Sequence, residues 1–275
     1  RFFPWLAVIP DSAGLFGLEG RVALVTGASG GIGQALALGL SGAGAQLLLA
    51  GRSKSRLQDT LETVLTAGCD KADMILGFDL SSPRECRDLV HSALDTAGKV
   101  DILINVAGVN RRRPSLETTE EDWDTILSSN LKSVFFLSRE VVKSWIESDR
   151  DYQTDGKGKI LNVGSLAGTI GIPEIGPYGA SKLGVVALTR SLGVEWAGHG
   201  ICVNAIAPGY IETPLTVSQG LFEHPVLGPW IRGRIPMNRP GKPEDLVGAA
   251  VFFCGRASDY ITGQTLFVDG GFEAG

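Results

Sequence analysis

The amino-acid sequence predicts a single α/β domain, a doubly wound parallel sheet of about seven strands with helices on both faces. Short apolar runs that end in Gly, Asn or Asp are each followed by a longer amphipathic segment, and this alternation persists along the chain. The 275 residues, 44% of them apolar, are enough to bury one substantial core. A strand followed by an amphipathic helix is a crossover unit, and successive crossovers place parallel strands in one sheet covered on both sides.

In chain order, strands are expected at Val22–Thr26, closed by Gly27, at Gln46–Ala50, closed by Gly51, and at Asp73–Phe78, closed by Asp79. The next two, Asp101–Asn105 and Lys159–Gly164, end on their own Asn and Gly. Cys202–Ala207 runs into Pro208-Gly209, and Thr265–Val268 into Asp269-Gly270-Gly271. Helices fill the intervals. Between the fourth and fifth strands lies a long helical interval, Glu120 to about Glu147, then a polar stretch from Asp149 to Gly158. That stretch reads as an exposed loop, since the next strand begins at once. Residues 1–17 form an extension ahead of the domain at 18–275. The opening Arg1–Pro10 is apolar, but prolines interrupt it and it is shorter than a signal-peptide core.

The formal charge of −5, with both signs evenly mixed, offers no basic face to a nucleic-acid backbone. No segment approaches the ~20 apolar residues that span a bilayer, so no membrane partner is expected. Cys69, Cys86, Cys202 and Cys254 are too widely spaced for a zinc knuckle or a redox pair, and too few to staple a chain of this size. They read as reduced, buried thiols of a cytoplasmic protein with no metal centre.

Thr26-Gly27-Ala28-Ser29-Gly30-Gly31-Ile32-Gly33 follows the first strand and opens a helix through Gln34-Ala35-Leu36. Glycines let the backbone turn tightly and approach a pyrophosphate, whose charge the helix N-terminus stabilises through its N–H groups and dipole. A merely tight strand-to-helix turn would read the same way, but its place after the first strand favours a dinucleotide. Gly27, Ser29, Gly30, Gly31, Ile32 and Gly33 are then the contacts. At the end of the second strand, Gly51 stands where an NAD-selective site places an acidic side chain for the ribose 2′-OH. Arg52 and Ser53 follow, so a cation and a hydroxyl can meet a 2′-phosphate. The expected cofactor is NADP(H), with NAD(H) the alternative and a solvated basic loop the bland reading.

Ser165 ends the fifth strand, Tyr178 lies thirteen residues on, and Lys182 follows at i+4 on what should be the same helical face. A ketone under reduction needs a proton as hydride arrives, and a free tyrosine of pKa ≈ 10 gives it sluggishly near neutrality. A cation one turn away favours the phenolate and brings that pKa toward working range, a role open to Lys182. Ser165 can hold the substrate oxygen. A packed tyrosine, a solvated lysine and a helix-capping serine are the bland alternatives.

The Thr26–Gly33 turn, Tyr178-Gly179-Ala180-Ser181-Lys182 and Pro208-Gly209 resemble the short-chain dehydrogenase/reductase family, over about Leu18 to Gly271. The resemblance implies a Rossmann-like fold and an NAD(P)-linked enzyme that moves a hydride between nicotinamide and a small-molecule carbonyl or alcohol. It implies that Asp79 and Leu80 hold the adenine, and that Asn105, Ala107 and Gly108 line the cofactor, with Val106 in place of the second Asn of the family's Asn-Asn-Ala-Gly. It also implies that Asn130 completes a tetrad with Ser165, Tyr178 and Lys182 and anchors a relay water. Pro208, Gly209, Ile211 and Thr213 resemble the segment that grips the nicotinamide amide. Residues 214–235 resemble a lid over the substrate, and the last strand part of a homo-tetramer interface.

Asn110-Arg111-Arg112-Arg113-Pro114 leaves the C-terminal end of the fourth strand, where ligands of open α/β sheets bind. A guanidinium there can pair bidentately with a carboxylate. Arg111 and Arg112 are the expected ligands, with His224 of the lid a candidate for a sugar hydroxyl. The tandem arginines and His224-Pro225 resemble the gluconate 5-dehydrogenase and deoxygluconate dehydrogenase branch of the family. A solvated loop, or one facing a neighbouring subunit or an acidic carrier protein, is the competing reading. The expected substrate is a sugar acid; a 3-oxoacyl thioester reductase and a non-catalytic dinucleotide sensor or scaffold are the alternatives.

Overall fold

The computed structural model describes residues 12–148, 152, 158–218 and 220–275. Its strands are β1 (Val22–Thr26), β2 (Gln46–Gly51), β3 (Ala72–Leu76), β4 (Ile102–Asn105), β5 (Gly158–Val163), β6 (Ile201–Pro208) and β7 (Thr265–Val268). They form one sheet in the order β3-β2-β1-β4-β5-β6-β7, every pair parallel. The third strand is displaced from its expected place, ending at Leu76 where Gly77 turns the chain.

The helices are α1 (Ser12–Phe16), α2 (Gly31–Gly42), α3 (Lys54–Thr66), α4 (Pro83–Ala97), α5 (Glu120–Leu127), α6 (Ser133–Glu147), α7 (Gly176–Glu195), α8 (Pro214–Ser218), α9 (Leu227–Arg234) and α10 (Val247–Cys254). Strand side chains alternate between the two faces. Val22, Leu24, Leu48, Leu103, Ile160 and Val203 pack with α4, α6 and α7. Ala23, Val25, Leu47, Leu49, Ile102 and Ile104 pack with α2, α3 and α10. Each fully enclosed leucine, such as Leu24 or Leu36, contributes about 1.5–3 kcal/mol relative to exposure.

Two features matter for the site. The helical interval from Glu120 to Glu147 forms as expected, but a π turn over Ser128–Lys132 between α5 and α6 turns Asn130 inward, where it is fully buried. The polar stretch from Asp149 to Gly158 lies outside the described residues except for Tyr152 and Gly158. Tyr152 is buried against Trp145, with ring centroids 5.4 Å apart, so this part of the stretch is not exposed loop. Of the expected extension, residues 1–11 lie outside the described residues, and Phe16 of α1 faces Phe252 of α10 at 6.4 Å.

Among the described residues no helix is long and apolar enough to cross a membrane, and no cluster of His, Cys, Asp or Glu could hold a metal. The four cysteines are buried thiols, and burial pushes Cys86 and Cys254 up to about 12. They are poor nucleophiles at neutral pH.

The order of the sheet reverses between β1 and β4, which opens a crevice beyond their C-terminal ends. Thr26 holds those ends together. Its hydroxyl donates to the Ile104 carbonyl (3.1 Å) and accepts from the Val106 amide (3.2 Å).

Candidate active site

A cleft of about 460 Å³ fills the crevice, floored by Gly27, Ser29, Gly30, Gly31, Ile32 and Gly33. A Cβ on Gly33 would collide with the Gly27 carbonyl oxygen, so only glycine lets α2 start this close to the turn. Gly30, at φ 146, precedes the twelve residues of α2 and supplies no side-chain cap. The first amides of α2 thus face the cleft without an internal acceptor, which suits an anionic group such as a pyrophosphate.

One end of the cleft is basic. Gly51, Arg52, Ser53 and Arg56 line it, and neither arginine has a carboxylate partner among the described residues. Arg56 is not among the residues expected from the sequence, although its spacing of four from Arg52 is a usable signal. Asp79, Leu80 and Phe78 line the facing wall. The Asp79 carboxylate accepts from the amide and hydroxyl of Ser81 (3.0 and 2.8 Å), and these bonds hold its pKa below the usual carboxylate range.

At the other end, Val106, Ala107 and Gly108 line the cleft, opposite Thr213 and Pro214. Asn105 does not. Its amide is turned into the core and donates to Asn162 Oδ1 (2.9 Å) and Ser138 Oγ (3.2 Å), so its side chain, unlike the expectation that it lines the cofactor, points away from the cleft. Pro208, Gly209 and Ile211 also stand back from the cleft. Gly209 presses against Asp269, Ile211 is buried in a bridge with Gly241, and together they carry Thr213 to the glycine turn. A Cβ on Gly31 would lie 3.5 Å from Thr213 Cβ.

Asn130, Ser165, Tyr178 and Lys182 come together just past Gly108. A Cβ there would lie 3.0 Å from Asn130 Oδ1 and 3.7 Å from Lys182 Nζ. Two small residues bring Tyr178 to Ser165: a Cβ on Gly179 would be 2.8 Å from the Ala167 carbonyl oxygen, and one on Gly168 would be 2.9 Å from the Leu183 amide. The α7 helix therefore lies directly on the segment after β5 and sets the Tyr178 phenol beside the Ser165 hydroxyl. Asn130 is fixed on three sides. Its Oδ1 accepts from the Val109 amide (2.7 Å), and its Nδ2 donates to the Val109 carbonyl (2.9 Å) and to Ser181 Oγ (3.1 Å). Ser181, inside the Tyr178–Lys182 motif but given no role of its own by the sequence, in turn donates to the Tyr178 carbonyl (2.7 Å).

The electrostatics differ from expectation in one respect. Lys182 Nζ donates to the Val163 carbonyl (2.7 Å) and lies 5.8 Å from the centre of the Tyr178 ring. Burial pushes the half-buried phenol up, with the Ser165 hydroxyl opposing it, and lowers Lys182 to about 8. Desolvation thus outweighs the expected lowering of the phenol by the ammonium. Near neutrality the arrangement presents a protonated phenol beside a charged ammonium, which suits proton donation to a developing alkoxide.

At the mouth, the three residues expected to meet substrate have partners within the chain. Arg111 donates to Asp122 Oδ1 (2.9 Å), and Arg113 approaches Asp122 Oδ2 (3.3 Å). Asp122 also closes the capping box of α5 with Thr119, and the Arg111 bond foremost holds it down to about 2. Arg112 donates to Glu174 (3.2 Å) and to the Pro173 carbonyl (3.4 Å). Both expected carboxylate ligands are thus spent on carboxylates of the chain itself. His224 is exposed, and its Nδ1 accepts the amides of Val226 (3.2 Å) and Leu227 (3.1 Å) at the start of α9, so that nitrogen is not offered to a ligand. Within residues 214–235, apart from Gln219, which lies outside the described residues, α8 and α9 form and turns occupy most of 220–226. Phe222, Ile231 and Ile235 pack them onto Leu166 and Phe272.

Comparison with known proteins agrees with this geometry. A family model described as enoyl-(acyl carrier protein) reductase matches residues 27–273. The chain is 41% identical to the 2-dehydro-3-deoxy-D-gluconate 5-dehydrogenase of Dickeya dadantii (strain 3937), over 94% of this chain and 98% of that one. It is 40% identical to the gluconate 5-dehydrogenase of Gluconobacter oxydans (strain 621H), over 94% and 96%. The crystal structure of a gluconate 5-dehydrogenase from Burkholderia cenocepacia J2315, in complex with NADP and tartrate, superposes with a TM-score of 0.88 at 35% identity, over 96% of this chain and 100% of that one.

Proposed function

Because the chain belongs to the short-chain dehydrogenase/reductase family and is an NAD(P)-dependent enzyme of it, we propose that it interconverts the secondary alcohol and ketone of a sugar acid, with NADP(H) as redox partner. The observation that carries the reading is the convergence of Ser165, Tyr178, Lys182 and Asn130 beside Gly108, next to a glycine-floored cleft.

The nicotinamide cofactor supplies or accepts the hydride when bound. The uncapped amides of α2 hold its pyrophosphate, Arg52, Ser53 and Arg56 meet a 2′-phosphate, and Asp79 and Leu80 border the adenine. Val106, Ala107, Gly108 and Thr213 enclose the nicotinamide end. In ketone reduction, Ser165 positions the substrate carbonyl oxygen and Tyr178 donates its phenolic proton to that oxygen; oxidation of the alcohol reverses the transfer. Lys182 stabilises the phenolate left behind. Asn130, locked to Val109 and Ser181, holds the segment after β4 against α7. The sugar-acid substrate rests on relatives named for gluconate-type substrates, and NADP on the absence of an acidic residue at Gly51 with two arginines beside it that have no carboxylate partner among the described residues. The buried thiols suit a cytoplasmic setting, and the family points to a homo-tetramer.

The test is turnover with NADPH and NADH over keto sugar acids, uncharged keto sugars and 3-oxoacyl thioesters. Keto sugar acids with NADPH are expected to give the highest kcat/KM, and a joint Arg52→Ala, Arg56→Ala change should lower the preference for NADPH by roughly tenfold or more. Better turnover of thioesters would replace the substrate; an unchanged coenzyme ratio would remove the arginines from the 2′-phosphate.

A further inference from the structure

The basic side chains around the mouth are nearly all engaged. Arg111 and Arg113 close on Asp122, Arg112 on Glu174, Arg232 on the Phe222 carbonyl (2.9 Å) and Arg239 on Asp245 (2.7 and 2.9 Å). Arg234, the last residue of α9, differs. Its guanidinium has no acceptor among the described residues and lies over two rings, 4.9 Å from the centre of Phe272 and 5.4 Å from that of Trp230. Stacking on rings fixes a guanidinium in orientation without using its N–H donors, so the fork stays available to a planar acceptor.

Phe272 is 1% exposed, and its other neighbour is Tyr210, with ring centroids 5.4 Å apart. The half-buried Tyr210 hydroxyl has no hydrogen bond among the described residues. Burial raises this phenol, and the charges of Arg112 and Arg234 both oppose the rise. Tyr210 and Arg234 thus share the Phe272 ring as a neighbour. Leu166, the neighbour of Ser165, belongs to the same apolar cluster as Phe272 and Ile231, and Tyr210 packs against it, so the assembly adjoins the segment that carries Ser165.

We infer that Arg234 and the Tyr210 hydroxyl form the subsite for the substrate carboxylate, with Phe272 and Trp230 as the platform that orients the guanidinium. The inference rests on the sugar-acid reading above. The ligand class is a short polyhydroxy keto acid, its carboxylate at Arg234 and its carbonyl at Ser165 and Tyr178. Arg112 is tied to Glu174, and taking its fork for substrate would leave the Glu174 carboxylate unpaired.

Steady-state kinetics with NADPH test this on a keto sugar acid and its uncharged keto-sugar analogue. Wild type should prefer the acid. Arg234→Leu should raise KM for the acid by roughly 10- to 100-fold, with kcat and the KM of the uncharged analogue changed by less than about threefold. Arg234→Lys should fall between, since the ammonium keeps the charge and loses the fork. Tyr210→Phe should raise KM for the acid alone by a few-fold. NADPH titration by fluorescence reports folding in each variant, and if Arg234→Leu does not fold, the lysine and phenylalanine variants make the same comparison. A wild type that prefers the acid, with Arg234 variants that keep the preference, overturns the subsite and leaves the sugar-acid reading standing. A wild type indifferent to the carboxylate overturns both.

Discussion

On the proposed reading, the chain meets its cofactor at the glycine turn with main chain: the first amides of α2, the uncapped Gly30 and the contact of Gly33 on Gly27. Past Gly108 the proposed task falls to side chains from separate segments, Asn130 from the π turn, Ser165 after β5, Tyr178 and Lys182 on α7, and, in the inferred subsite, Tyr210 and Arg234 beyond β6. A backbone-built site needs a few consecutive residues of the right shape. A side-chain site needs distant segments to meet, and each charge in it is open to capture by a neighbour. Arg111 and Arg112 show the second hazard, since Asp122 and Glu174 reach them first.

The sharpest way to separate the two regions is Tyr178→Phe. It should lower turnover by about 10²–10⁴-fold while NADPH affinity stays nearly unchanged, because only the proton donor is lost. Activity within tenfold of wild type would remove Tyr178 from its role. The converse change is Gly33→Ala. Its new methyl meets the Gly27 carbonyl, so the turn must shift, at a cost on the order of 1–3 kcal/mol, and NADPH affinity should fall by at least about tenfold. Intact affinity by fluorescence titration would mean the turn does not cradle the pyrophosphate.

The pH profile of ketone reduction is a milder probe of the side-chain region. Tyr178 is pushed up, so it keeps its proton through neutrality, whereas Lys182 is lowered to about 8. The ammonium is charged below that pH and neutral above it, so reduction should decline as pH rises through about 8. A rate that stays level to roughly pH 10, where a free phenol itself titrates, would show that the charge is not used. The smallest effect is expected from Arg111→Ala. It should lower Tm slightly, through the loss of a partner of Asp122, and leave the preference for a carboxylated substrate intact. Loss of that preference with unchanged Tm would return Arg111 to the substrate.

The π turn and the role of Ser181 have no signature in the sequence. A helical period continues across Glu120–Glu147, and the wider turn at Asn130 answers to its bonds with Val109 and Ser181, remote in sequence. Arg56 is within reach of a sequence argument, four residues from Arg52. Arg234 is not, because a stacked guanidinium and a paired one are alike in one dimension.

The alternation of strands and helices, the glycine turn and the Tyr178–Lys182 spacing are determined by the sequence itself, because each is a local pattern in which neighbouring residues constrain the same stretch of backbone. The reversal of the sheet between β1 and β4, the inward turn of Asn105, and the pairing of Arg111 and Arg112 with Asp122 and Glu174 arise only when distant segments pack. Which arginine is left for a ligand depends on which carboxylates come within about 4 Å in the folded chain, and no spacing along the chain encodes that distance.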